Sequence, residues 1–228
     1  MSRSVGVTTN IAGHRANELL TGNVYVSAIH LDGAMTSETW PSIVGRANLA
    51  GLGLSKYRLY AMAAAGELEH IAAGLYARPG EFDDTTAAWA SISLRKPAAT
   101  ICLLSALSMH DLTDEIPRGT DIALPRGERT LTANLTPIHW HSFDRATFDL
   151  GRTPHSLTED GLAIGLYSAE RTIIDAFRLR HDLGPETANE ALKRWLRRRG
   201  STPSTLLNLA RSFPKAQPAL RRTLEILL

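Results

Sequence analysis

The residues best suited to contact an anionic partner lie together at the start of one predicted helix. Ser55 is a good N-cap for this helix, because its hydroxyl can accept one of the free amides of the first turn. Lysine and arginine pair with phosphates or guanine edges, and a tyrosine hydroxyl can reach a phosphate. The pattern is typical of a DNA-contacting helix or of cations that are simply solvated. Its polar side chains belong to Lys56, Tyr57, Arg58 and Tyr60.

Two helices and a hairpin are predicted to position these side chains. Helical spacing of Ile43, Ala47 and Ala50 predicts a first helix, and GLGLS separates it from the helix that begins at Ser55. Segment 68–80 then predicts two short strands. This succession outlines a winged helix-turn-helix, in which the second helix enters the major groove. The full candidate DNA-binding set is Arg46, Ser55, Lys56, Tyr57, Arg58, Tyr60, His70 and Arg78.

The net charge is low for a protein that binds DNA. The chain has 228 residues, with 25 Lys or Arg against 23 Asp or Glu, which gives a net charge of +2. Residues 35–80 hold four Lys or Arg and three Asp or Glu. Because neutralisation of phosphates supplies most DNA affinity, we expect either a dimer or a second basic surface.

The second basic surface is predicted on helices of the C-terminal half. In KRWLRRRG (193–200), the basic residues project away from an apolar stripe, either as a solvated face or as a surface for an anionic partner. Cations near a helix C-terminus are favoured by the helix dipole in either case. In ERTIIDAFR (170–178), residues one turn apart can form an ion-pair ladder or a functional site. The candidate partner surface comprises Arg171, Asp175, Lys193, Arg194, Arg197 and Arg198.

Signals for catalysis, metals and cofactors are weak. His139 and His141 share one face of a predicted strand, but no further His or Cys lies at a standard ligand spacing. The segment GLGLSK (51–56) lacks the residue order of a P-loop, and Ser105 has no glycine-bracketed elbow. Cys102 lies in an apolar run and is expected to be a buried thiol. We therefore predict no enzymatic activity, no metal and no cofactor.

The sequence predicts an α+β protein with two domains. We expect a winged helix-turn-helix domain, an acidic connection with a short helix over 86–89, and a mixed α/β domain whose strands lie at 121–125, 136–143 and 162–168. No signal segment or long apolar run is present, so a cytoplasmic protein is expected. The predicted boundaries are 1–34 for an N-terminal extension, 35–80 for the DNA-binding domain, 81–95 for the connection and 96–228 for the C-terminal domain.

Six segments taken together, in their order and spacing, resemble the AbiEi antitoxin family of type IV toxin–antitoxin and abortive-infection systems. The likeness covers the chain from about residue 40 to the C-terminus. The segments are AAGELEHIAAGLYARPG (64–80), PAATICLLSALSMHDLTDEIP (97–117), DIALPRG (121–127), YSAERTIIDAFR (167–178), ANEALKRWLRR (188–198) and LRRTLEILL (220–228).

The resemblance implies both a DNA partner and a protein partner. The family's N-terminal domain binds inverted repeats in its own promoter and represses the operon. Its C-terminal domain, here the antitoxin domain, counters a co-encoded nucleotidyltransferase-like toxin, directly or indirectly. The recognition helix would begin at Ser55, and the wing would end at Gly80. This chain has Ala73 where the family's wing often has an arginine. The alternative is a module that sequesters the toxin and binds little DNA.

Overall fold

A computed structural model describes residues 40–46, 48–132 and 135–228. The predicted extension over 1–34 and residue Ala47 lie outside these described ranges. The first elements form a three-stranded antiparallel sheet in the order β1-β3-β2, with one helix inserted between β1 and β2. These elements are β1 (Ile43–Gly45), α1 (Lys56–Ala64), β2 (Glu69–Ala72) and β3 (Leu75–Ala77).

Apolar side chains of α1 hold this helix against the small sheet. Leu59 and Met62 of α1 are buried, and they share a hydrophobic cluster with Val44 of β1 and Tyr76 of β3. Ser55 caps the helix, as predicted, and the chain leaves the helical conformation at Gly66. The hairpin predicted within 68–80 is confirmed as β2 and β3.

The helix predicted from Ile43 to Ala50 is wrong. The chain forms strand β1 there, followed by turns at residue 46 and at residues 48–53. The side chain of Asn48 accepts a 2.7 Å hydrogen bond from the Gly45 amide and donates one of 3.2 Å to the Ile43 carbonyl. These bonds satisfy backbone groups at the end of the strand, so a local side-chain contact competes with helix formation.

A twelve-residue helix, α2 (Asp84–Arg95), occupies most of the segment predicted to be a connection. The side chain of Asp83 caps it by accepting a 2.7 Å hydrogen bond from the Thr86 amide. The acidic residues that suggested a turn are therefore the start of a helix, which a capping aspartate also explains. Its apolar face is buried and contacts β2 of the first sheet and, in a second sheet, strand β8 (Ala163–Tyr167).

The second sheet has five strands in the order β6-β5-β4-β8-β7. The pairs β5–β6 and β4–β8 are parallel, while β4–β5 and β7–β8 are antiparallel. The three strands that the sequence predicts are confirmed as β5, β6 and β8. The strands are β4 (Thr100–Ile101), β5 (Thr120–Pro125), β6 (Ile138–Phe143), β7 (Arg152–Ser156) and β8 (Ala163–Tyr167).

Six further α-helices lie within the described residues and complete the mixed α+β fold. The largest hydrophobic cluster joins α4, α6, α7 and α8, while α3 packs on both α4 and β5. No helix in the described ranges is long and apolar enough to cross a membrane. The helices are α3 (Leu103–Met109), α4 (Ala169–Arg178), α5 (Arg180–Leu183), α6 (Pro185–Leu196), α7 (Pro203–Ala210) and α8 (Gln217–Leu227).

Candidate nucleic-acid interface

The first turn of α1 presents polar side chains to solvent. The hydroxyl of Ser55 accepts a 3.1 Å hydrogen bond from the Arg58 amide, which fixes the start of the helix. Lys56, Tyr57 and Arg58 are exposed, and Tyr57 has 84% of its surface accessible. The first turn contains no carboxylate, so the positive end of the helix dipole adds to the charge of the two cations. This arrangement suits an anionic partner.

Arg46, which follows β1, is joined to α1 by a hydrogen bond. Its Nη2 donates to the hydroxyl of Tyr60 over 2.8 Å. The Tyr60 ring meets the ring of Tyr76 edge to face, with centroids 6.4 Å apart. On β2, the His70 ring lies 5.1 Å from Tyr76, centroid to centroid. The structure therefore brings Tyr60 and His70 together around Tyr76, and Arg46 joins them through its bond to Tyr60.

The Arg46 side chain also lies against the turn of the hairpin. Gly74 has a φ of +75°, and a Cβ built there would lie 3.9 Å from the Cδ and Nε atoms of Arg46. Glycine adopts this left-handed conformation without the steric cost that other residues meet. The guanidinium group of Arg46 thus stands beside the turn that contains Ala73.

Arg78, another predicted DNA-binding residue, lies away from Arg46, Tyr60 and His70. It follows β3 at the end opposite the Ala73-Gly74 turn, because Gly45 pairs with Leu75 while Ile43 pairs with Ala77. Its guanidinium lies 3.4 Å from the Glu81 carboxylate and donates to the Trp40 carbonyl over 3.3 Å. These contacts assign Arg78 to the base of the hairpin.

Arg171 and Asp175 do not form a surface, contrary to their placement in the predicted partner site. Both side chains are fully buried, with Arg171 Nε and Asp175 Oδ2 2.9 Å apart. Arg178 approaches the other carboxylate oxygen to 2.9 Å. The ion-pair ladder, which the spacing also allows, is the arrangement observed. Burial raises the pKa of Asp175 against the opposing effect of the two guanidinium groups.

The buried guanidinium of Arg171 joins distant parts of the chain. It donates hydrogen bonds of 2.6 Å to the carbonyls of Thr147 and Leu150, and it stacks between the rings of Tyr167 and Phe213. At Gly151, a built Cβ would lie 2.7 Å from the Arg171 Cβ, and φ is +73°. A side chain at Gly151 would therefore collide with α4 as well as strain the backbone.

Only part of the basic segment 193–199 is free to meet a partner. Arg194 binds both carboxylate oxygens of Asp114 and lies 3.0 Å from Glu190. Hydrogen bonding to Arg194 lowers the pKa of the Asp114 carboxyl. Arg198 donates to the carbonyl of His110. Of the four predicted cations there, Lys193 and Arg197 are the exposed ones that form no ion pair within the described residues.

His139 and His141 of β6 face the carboxylate of Asp121, which the sequence does not indicate as a site residue. Asp121 Oδ1 lies 2.9 Å from His141 Nε2 and 3.5 Å from His139 Nδ1. The other oxygen accepts a 3.3 Å hydrogen bond from the Ser105 hydroxyl. Parallel pairing of β5 with β6 sets Asp121 opposite His139, and this pairing is not visible in local sequence. In the ranges described, no group of three or more His, Cys, Asp or Glu side chains is arranged to hold a metal.

Cys102 and Tyr167 have shifted pKa values, and both side chains lie in the core rather than at an exposed site. Burial raises the pKa of the Cys102 thiol well above its ordinary value, and the nearby Asp121 adds to this effect. Burial also raises the pKa of Tyr167, whose hydroxyl donates a 2.8 Å hydrogen bond to the Phe148 carbonyl. Because a buried thiol is a poor nucleophile, Cys102 is a core residue.

Comparison with solved structures gives a match at low identity. The chain is similar to the crystal structure of RV2827C protein from Mycobacterium tuberculosis, with a TM-score of 0.47 and 18% sequence identity. The alignment covers 82% of this chain and 76% of that chain. No protein-family model and no curated protein matches the sequence.

Proposed function

We propose that this chain is a non-catalytic, cytoplasmic DNA-binding antitoxin that represses its own operon. The observation that carries the DNA-binding part is the exposed first turn of α1 with Lys56, Tyr57 and Arg58, supported by Arg46 through Tyr60. The antitoxin part depends on the resemblance to the AbiEi family. In this proposal, α1 is the DNA-recognition helix and the β2–β3 hairpin is its wing, and strand β1 with the turns after it takes the place of the predicted first helix.

The geometry of α1 favours insertion of its N-terminal end into a major groove. A major groove about 12 Å wide admits one helix, and recognition helices use their N-terminal residues to contact base edges. Lys56 and Arg58 supply the donors that guanine edges and phosphates accept. Tyr57 has 84% of its surface exposed, so its hydroxyl is accessible to a phosphate of the DNA backbone.

Arg46 supplies a cation where the wing itself lacks one. Ala73 occupies the wing position at which the family often has arginine, and its methyl group cannot contact a phosphate. The Arg46 side chain lies against the adjacent Gly74, so its guanidinium stands beside the same turn from a different element. We assign Arg46 the backbone contact that a wing arginine would otherwise make.

The low charge of the N-terminal part favours binding as a dimer. One copy of this region offers few cations, and affinity grows with the number of phosphates neutralised. A symmetric dimer would place two α1 helices on the two halves of an inverted repeat, about 34–36 Å apart or a multiple of that spacing. The proposed partner is therefore inverted-repeat operator DNA.

A gel shift against the chain's own promoter region tests this proposal. Retardation of the promoter fragment, with at least tenfold weaker retardation of an unrelated fragment of equal length, would support sequence-specific binding. Equal binding to both fragments would leave only charge-driven association. No binding to either at 50 mM salt would reject the DNA-binding function.

A second candidate function is direct binding of an acidic surface on the co-encoded nucleotidyltransferase-like toxin. The exposed cations Lys193 and Arg197 favour it, because residues 169–228 hold twelve Lys or Arg against six Asp or Glu. Co-purification with the neighbouring gene product tests this function. Charge reversal in Lys193→Glu with Arg197→Glu should abolish the complex if this surface binds the toxin. An unchanged complex would exclude this surface.

A further inference from the structure

A cleft of about 220 Å³ opens where α4, α6 and α8 meet. Its polar lining consists of Arg180, Asn189, Arg222 and Thr223, and its other lining side chains are apolar. The cleft therefore combines two guanidinium groups and an amide with walls that can pack against carbon atoms. None of these residues belongs to the candidate surfaces described above.

The two cations at the cleft are available to a ligand. Neither Arg180 nor Arg222 forms an ion pair with a carboxylate in the described part of the chain. Arg171 and Arg194, in contrast, are held by carboxylates at the distances given above. Both guanidinium groups line one cleft without a carboxylate partner, so an anion bound there would interact favourably with each of them.

The surroundings of the cleft also favour an anion. Residues 169–228 carry a formal net charge of +6. Pro185 and Ala188 of α6 line the cleft, and no side chain caps the N-terminus of this helix. The carboxylate of Glu186 lies beside Gly184, 3.6 Å from where a Cβ added to that glycine would stand. Glu186 does not line the cleft. Glu186 lies in the first turn of α6 and offsets the helix dipole there, so the positive charge at the cleft comes from Arg180 and Arg222.

We propose that this cleft binds a small phosphomonoester through Arg180 and Arg222. Guanidinium groups match the geometry of phosphate oxygens and can donate two parallel hydrogen bonds to them. Asn189 can add an amide donor. The hydroxyl of Thr223 donates to the Ala219 carbonyl over 3.0 Å, so its oxygen can only accept. The phosphate is thus held by the arginines and the amide.

The volume of the cleft limits the size of the ligand. The volume of about 220 Å³ is below that of the pockets that hold drug-sized ligands. Drug-sized ligands occupy pockets of about 300–1,000 Å³. A phosphate with a compact apolar body fits this space better than a nucleotide. The apolar walls distinguish such a ligand from inorganic phosphate.

Nuclear magnetic resonance titration of the full chain tests the site. The Asn189 side-chain amide and the arginine Nε–H groups are followed during addition of phenyl phosphate, inorganic phosphate or dimethyl phosphate at constant ionic strength. We expect saturable shifts with phenyl phosphate, at least threefold weaker binding of inorganic phosphate, and the weakest binding of dimethyl phosphate. Stronger binding of dimethyl phosphate, which mimics a nucleic-acid backbone, would overturn the proposal.

Paired variants separate the cleft from the general positive field. Arg180→Gln with Arg222→Gln should weaken phenyl phosphate binding at least tenfold. The matched pair Arg211→Gln with Arg221→Gln removes two exposed arginines that do not line the cleft and should change binding less than twofold. Equal losses in both pairs, or unsaturable shifts, would reject the site.

A single variant tests the cleft in case the double variant does not fold. Arg222 is exposed, so Arg222→Gln alone should leave the fold intact and weaken phenyl phosphate binding severalfold. Unchanged binding in this folded variant would also overturn the proposal. None of these measurements uses DNA, so the outcome is independent of the proposed operator binding.

Discussion

The Arg46 guanidinium donates a 2.8 Å hydrogen bond to the Tyr60 hydroxyl and so ties the chain after β1 to the exposed side of α1. If this bond orients Arg46 toward DNA, Tyr60→Phe should weaken promoter binding about two- to twelvefold, the equivalent of about 0.5–1.5 kcal/mol. The phenyl ring can keep its contact with Tyr76, so the unfolding midpoint should hardly change. Gel-shift titration and thermal unfolding measure the two effects.

Tyr76→Phe is the matched control for that hydroxyl deletion. The Tyr76 hydroxyl forms no hydrogen bond with another described residue, so its removal should leave promoter affinity unchanged. If Tyr60→Phe also left the affinity unchanged, the assigned role of the Arg46–Tyr60 pair would be wrong.

Removal of the buried Arg171 should destabilise the fold rather than weaken the binding of a partner. Arg171→Met leaves Asp175 beside only one cation and frees the carbonyls of Thr147 and Leu150. Breaking a buried ion pair costs about 3–5 kcal/mol, and urea unfolding should show a decrease of this size in the free energy of unfolding.

Arg197→Ala is the control, because it removes an exposed cation from the same C-terminal half of the chain. Arg197 is exposed and forms no ion pair in the described ranges, so its removal should change the free energy of unfolding by less than about 0.5 kcal/mol. A stability decrease for Arg171→Met as small as that of this control would contradict the structural role of the buried guanidinium.

The Asp114–Arg194 pair should stabilise the fold in a pH-dependent way. The pKa of Asp114 is lowered in the folded protein, first by the hydrogen bond from Arg194. A carboxyl with a lowered folded pKa contributes stability above its ordinary pKa of 3.8, and this contribution disappears as the pH falls through the folded value. Asp114→Asn should therefore destabilise the protein more at pH 7 than at pH 2.5.

Urea unfolding of both proteins from pH 2.5 to pH 7 measures this difference. Asp114 is largely exposed, so the effect should be small and should shrink in high salt. A difference in unfolding midpoint that stays constant over the whole pH range would show that the pair does not act through the charge of Asp114.

Local sequence signals predict α1 and its start, but not the contacts of its exposed side. The Ser55 cap and the buried spacing of Leu59 and Met62 are short-range patterns, and both are present in the structure. The Arg46–Tyr60 bond depends on β1, which replaces a predicted helix because Asn48 bonds to the strand backbone. A helical spacing of small apolar residues could not reveal this competition.

The Arg171–Asp175 pair shows that local sequence predicts the contact between two charged residues but not their burial. A spacing of four residues predicts that the two side chains meet on a helix, and they do. It does not predict burial, because the carbonyls of Thr147 and Leu150 and the ring of Phe213 come from distant segments. Strand β7 is also not predicted from the sequence. Proline disfavours a strand unless the strand lies at the edge of a sheet, and β7, which contains Pro154, is such an edge strand.

The central claim, that the first turn of α1 binds operator DNA, is tested most directly by one double variant. Promoter affinity of Lys56→Ala with Arg58→Ala is compared with that of Arg118→Ala with Arg129→Ala, which removes two exposed cations elsewhere. We predict at least tenfold weaker binding for the α1 pair only. We also predict a salt dependence flatter by about 0.9 in log–log slope for each phosphate that the variant no longer neutralises. Equal affinity and equal salt slope for both pairs would contradict the claim.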